Sequence, residues 1–174
     1  MGGYVGLAFA SLYPDRLLGL GLFHSHPYAD TPETKEARLK RKQFVEQNGS
    51  APYVRQVIPG LFAPESVKQH QPLIEKLISN AEQYPSAGIT NALQAMHDRP
   101  DRSEVLERLD VPALFIVGKK DQAVPESFSM KQLSLPDTSA IYIDEEVGHM
   151  GMFEAPESCL QNIRAFIHLC RQYL

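Results

Sequence analysis

Two stretches of the chain are apolar on both faces: LLGLGLF over Leu17–Phe23 and ALFIV over Ala113–Val117. Such runs suit central strands of a parallel sheet covered by helices on both sides. TSAIYID, over Thr138–Asp144, predicts a third strand. Glu126–Leu135, between the second and third, has room for a crossover helix, so the segment reads as a βαβ unit. Ahead of the first strand, Val5, Ala8, Phe9 and Leu12 form a helical stripe that predicts a buried helix ended by Pro14-Asp15. A last helix opens at Pro156, and Leu160, Ile163, Ile167 and Cys170 mark the face expected to dock on the sheet.

From Thr31 to about Pro100 no strand pattern appears. Thr31-Pro32-Glu33 is a helix start and Asn48-Gly49 a helix stop, and further helical stretches follow around Tyr53–Val57, Pro72–Gln83 and Pro85–His97. The chain thus divides into an α/β core at 1–29, a helical insertion at 30–100 and a second core portion at 101–174.

Composition narrows the function. With 43% hydrophobic and 22% charged residues, the 174-residue chain has enough apolar material for a real core. A formal net charge of -4 provides no basic footprint, so nucleic-acid binding is not expected. The longest apolar stretches are too short to cross a bilayer and no charged segment precedes an apolar one, which makes a cytoplasmic location the default expectation. Cys159 and Cys170 lie about 16 Å apart along one helix, too far for a mutual disulfide.

The chemistry gathers after the second and third strands. GKKDQAVP places Asp121, and EEVGHMGMFEAP places His149, in turns at the carboxyl ends of parallel strands, where open α/β sheets build their sites. A carboxylate beside an imidazole fixes its tautomer and steadies the imidazolium formed when it takes a proton. Each residue also has a plainer use, Asp121 as a turn cap and His149 in a Gly-flanked bend.

MGGYVGLAFASLYPDR, VGKKDQAVP and VGHMGMFEAPE together resemble the elbow helix, acid loop and histidine loop of the α/β-hydrolase family, over essentially the whole chain. The resemblance implies a partial α/β-hydrolase fold: three parallel strands, flanking helices and residues 30–100 as a helical cap. It makes Asp121 the triad acid and His149 the base. Met1-Gly2 corresponds to the last two positions of the Gly-x-Ser-x-Gly elbow, so the nucleophile would lie immediately before Met1 and the Met1 amide would be an oxyanion donor. Loss of such a donor costs about 3 kcal/mol in the transition state.

Within the chain, Ser25 in FHSHPYAD is the candidate substitute nucleophile, and Phe23, His24 and Met150 are candidates for the substrate pocket. Met150 also suits packing beneath the histidine loop. His24 and His26 do not define a metal site without a third ligand, and no metal or other cofactor is expected. The expected activity is hydrolysis of esters or similar small apolar substrates. The alternative is a non-catalytic remnant or small-molecule binding module. In the family's strand order Leu17–Phe23 becomes an open edge here, which predicts a homo-oligomer joined through that strand.

Overall fold

A computed structural model of the chain describes residues 1–173. Three parallel strands lie in spatial order β1 (Leu20–Phe23), β2 (Ala113–Gly118) and β3 (Ser139–Asp144), with Leu20 opposite Ala113 and Gly118 opposite Asp144. Helix α1 (Gly2–Leu12) precedes β1. Helices α2 (Pro32–Asn48), α3 (Ser50–Val57), α4 (Gln71–Ala81), α5 (Ser86–Asp98) and α6 (Ser103–Glu107) separate β1 from β2. Helix α7 (Glu126–Gln132) crosses to β3, and α8 (Gly151–Glu154) and α9 (Pro156–Cys170) close the chain. Among the described residues no helix is long and apolar enough to cross a membrane.

The apolar run of β2 is buried throughout, and its alternation serves two cores. Ala113, Phe115 and Val117 pack with Leu7 and Ala10 of α1, Leu20 and Leu22 of β1 and Leu106 of α6. Leu114 and Ile116 face the other way, onto Cys159, Phe166 and Cys170 of α9. The result is a sheet between two helical layers.

Two helix faces differ from those expected. Val5, Phe9 and Leu12 of α1 are exposed, and Leu7 and Ala10 are buried instead. The reason is Gly3: a Cβ there would collide with the Ser25 side chain, so the small residues mark the close approach to the sheet and turn the larger apolar stripe outward. In α9, Leu160 and Ile167 are exposed, whereas Cys159, Ile163, Phe166 and Cys170 form the docking face. The four-residue step from Cys159 to Ile163 starts a helical stripe one position away from the expected one.

In the helical segment, Thr31 caps α2 by accepting the Thr34 amide at 3.2 Å, and Gly49 ends that helix at φ +82°. Helices α2 and α5 pack together, braced by a buried ion cluster. Asp30 accepts from Arg99 Nη2 at 2.6 Å and from the Arg38 guanidinium, while Arg99 also donates to the Met96 carbonyl at 2.7 Å and lies 4.0 Å above the Tyr4 ring. Burial works against the Asp30 anion, yet the hydrogen bonds from Arg38 and Arg99 hold its carboxyl below the usual range. Breaking such a cluster leaves two guanidiniums without their counter-charge, so Asp30→Ala should lower unfolding free energy by about 3 kcal/mol or more, measured by urea denaturation.

Candidate active site

The site grows from the ends of β2 and β3. After their last paired residues the chain continues the pairing through loops, with the Lys119 amide donating to the Asp144 carbonyl at 2.9 Å and the Lys120 amide to the Val147 carbonyl at 3.0 Å. This brings the turn after β2 alongside the segment 145–150. Asp121 is buried in that turn, and its Oδ1 accepts the amides of Ala123 at 2.7 Å and Val124 at 2.9 Å. Its Oδ2 accepts from His149 Nδ1 at 2.8 Å. Three donors converge on this one carboxylate, and the bond to Oδ2 assigns the imidazole a proton on Nδ1. The His149 side chain keeps 26% of its surface exposed, against 3% for Asp121. Such an imidazole has Nε2 free to take a proton from a group in front of it.

His24 sits behind this pair. Its Nδ1 is 3.8 Å from Asp121 Oδ2, beyond hydrogen-bonding distance, and both ring nitrogens are buried without a partner among the described residues. Its backbone is left-handed, with φ 45°. Burial pushes its imidazole down to about 4, against the opposing pull of Asp121. His26, whose Nε2 lies 3.3 Å from the Tyr4 hydroxyl, is also pushed down to about 4, by burial first and then by Arg99. His24 is therefore a neutral buried neighbour of the carboxylate; Phe23 and Met150 are each half-buried. An apolar cavity of about 510 Å³ lies elsewhere, between α3 and α5, lined by residues including Tyr53, Tyr84, Ile89 and Met96.

Ser25 makes no hydrogen bond to the pair among the described residues. Its side chain is pressed against Gly3, its carbonyl accepts from Gln132 Nε2 at 2.8 Å, and the structure contains no hydrogen bond between its hydroxyl and a histidine among the described residues. Met1 caps α1 with its carbonyl, which accepts the Tyr4 amide at 3.0 Å and the Val5 amide at 3.2 Å; Gly2 beside it has open space where a Cβ would stand. An α-amino group at Met1 has its pKa lowered, by burial first and then by Arg38 and Arg99. No group of three His, Cys, Asp or Glu side chains able to hold a metal ion occurs among the described residues.

Two features escaped the sequence reading. Glu154, inside the EEVGHMGMFEAP stretch, accepts the amides on either side of His149, those of Gly148 at 3.1 Å and Met150 at 3.2 Å. Asp30, Arg38 and Arg99 meet across 69 residues of chain, and no local pattern announces that.

Residues 1–171 match the Ndr family, which lies within the α/β-hydrolase superfamily. The chain belongs to the Ndr family. A thermophilic esterase from Thermogutta terrifontis shares 31% identity and superposes with a TM-score of 0.89, covering 97% of this chain and 62% of that one. The enol-lactonase from Burkholderia xenovorans LB400, at 18% identity and TM-score 0.86 over 97% of this chain and 63% of its own, shares the fold. Lipase 1 of Psychrobacter immobilis is 25% identical over 95% of this chain and 53% of its own length. The chain spans about half the length of the curated relatives it matches.

The two buried histidines make stability depend on pH. Their folded pKa values lie below the unfolded value of 6.5, so above that pH neither state is protonated and nothing is lost; as pH falls toward 4 the unfolded chain gains protons that the folded one refuses. Each shift corresponds to roughly 3 kcal/mol. Thermal melts should show Tm falling between pH 6.5 and 4, and less steeply in a His24→Asn, His26→Gln double variant, Asn being chosen because it tolerates positive φ.

Proposed function

We propose that Asp121 and His149 are the acid and base of an α/β-hydrolase site that hydrolyses esters or similar small apolar substrates. The observation that carries this reading is the 2.8 Å bond from His149 Nδ1 to a buried carboxylate at the carboxyl edge of the sheet, with the imidazole still partly exposed. The naming of relatives as an esterase, an enol-lactonase and a lipase supports the substrate class. In this reading a nucleophilic serine would stand directly ahead of Met1, at the N-terminus of α1, as the elbow motif implies. There its hydroxyl would give a proton to His149 Nε2 as its oxygen bonds the substrate carbonyl carbon. The carbonyl electron pair would move onto oxygen facing the Met1 amide and return as the C–O bond to the alkoxide breaks, the alkoxide taking the proton from Nε2. A water deprotonated by Nε2 would then attack the acyl-serine, releasing the acid and restoring the serine. In this reading residues 30–100 cover the site.

The test is intact mass after exposure to a fluorophosphonate, on this chain and on the chain extended by Gly-Xaa-Ser before Met1. An adduct should form on the extended chain, with a rate reduced about a thousandfold by His149→Ala. Absence of an adduct on both chains, with native folding retained, overturns the hydrolase reading.

Two observations favour a second reading. Strand β1 has a single neighbour among the described residues, and Val5, Phe9 and Leu12 leave an apolar stripe exposed on α1. A non-catalytic binding module joined to a second copy through β1 would use that edge. Light scattering at micromolar concentration should then report a dimer, and a clean monomer excludes this assembly.

A further inference from the structure

The histidine loop is held by a carboxylate outside the Asp121–His149 pair. Glu154 Oε1 accepts the Gly148 amide at 3.1 Å and the Met150 amide at 3.2 Å, and Oε2 accepts the Ala63 amide at 2.8 Å and the Ser66 hydroxyl at 2.7 Å. The amide of His149 itself donates to the Leu61 carbonyl at 2.8 Å. Three consecutive amides, 148 to 150, are thus fastened, two by Glu154 and one by the turn at residues 59–66 that Glu154 also grips. The contact is tight: a Cβ on Gly148 would stand 2.8 Å from the Phe62 carbonyl carbon and 3.0 Å from Leu61 O. Phe62 and Ala63 are fully buried beneath it.

We propose that Glu154 is a positioning residue that couples the helical insertion to His149. Its two oxygens face opposite ways, one to the loop that aims the imidazole and one to the insertion, so the imidazole keeps its bond to Asp121 only while the 59–66 turn stays docked. An ionised carboxylate supplies acceptors on both oxygens. An amide of the same shape does not: Glu154→Gln must point its NH₂ group either at the loop amides or at the Ala63 amide. The proposal rests on Asp121–His149 being the reactive pair, but its test reads the pair's geometry and not turnover.

The measurement is proton NMR of the His149 Nδ1–H, with amide exchange at Gly148 and Met150, on the whole chain. Glu154→Gln should abolish or shift the Nδ1–H signal and speed exchange at both amides by about tenfold or more. Ser66→Ala, which removes on the insertion side the hydroxyl shared between Glu154 Oε2 at 2.7 Å and the Ala63 carbonyl at 3.0 Å and leaves the Ala63 amide bond in place, should shift the same signal in the same direction by less. Leu106→Ala, in the core beneath β2, serves as the control that lowers Tm without touching the loop. A Nδ1–H signal unchanged in Ser66→Ala and Glu154→Gln, or lost equally in Leu106→Ala, overturns the proposal. Failure of the fluorophosphonate reaction with these NMR signatures intact would instead count against the hydrolase reading alone.

Discussion

The double burial of β2 is the constraint on which the rest depends. A six-residue strand with every position covered needs a helix layer on each face and a hydrogen-bonded strand on each side. Leu7, Ala10 and Leu106 supply one layer and the α9 face the other, while β1 and β3 close the edges of β2. Because both neighbours run parallel, all three carboxyl ends emerge together. His24, Asp121 and His149 are therefore brought to one place by the sheet, not by any attraction among themselves.

What happens at that place is decided by how buried charge is satisfied. Asp121 and Asp30 are both carboxylates removed from water, and the structure treats them differently. Asp30 is neutralised by two guanidiniums and ties the start of the insertion to its end. Asp121 receives two backbone amides and the His149 ring nitrogen in place of guanidiniums. The first arrangement suits a brace. The second leaves a negative charge available to steady a proton arriving on His149.

Strands, parallel order and the Asp121–His149 pair were legible because each rests on local signals: unbroken apolar runs, a crossover of helical length, and turn residues after a strand. Helix orientation was less so. Period alone marks a stripe but not which side is core, and in α1 the deciding quantity was the absence of side chains at Gly3, seen only once Ser25 lay against it. Glu154 was invisible for a related reason. An acidic residue in a single-turn helix reads as a solvent-facing dipole partner, and nothing within the histidine stretch says that the Ala63 amide and the Ser66 hydroxyl, some ninety residues earlier in the chain, complete its coordination.

That long-range completion bears on how the loop works. A bend flanked by Gly148 and Gly151 has little intrinsic reason to hold one conformation, and loops of this kind are ordinarily the mobile parts of a fold. Here the loop borrows its order from a segment far away in sequence: the 59–66 turn supplies the carbonyl for His149, the floor beneath Gly148 and two donors for Glu154. The insertion is therefore no appendage resting over a finished sheet. Its docking and the orientation of the imidazole are one cooperative event, carried by the bonds from Glu154 to the loop and to the turn and by the His149 amide on the Leu61 carbonyl.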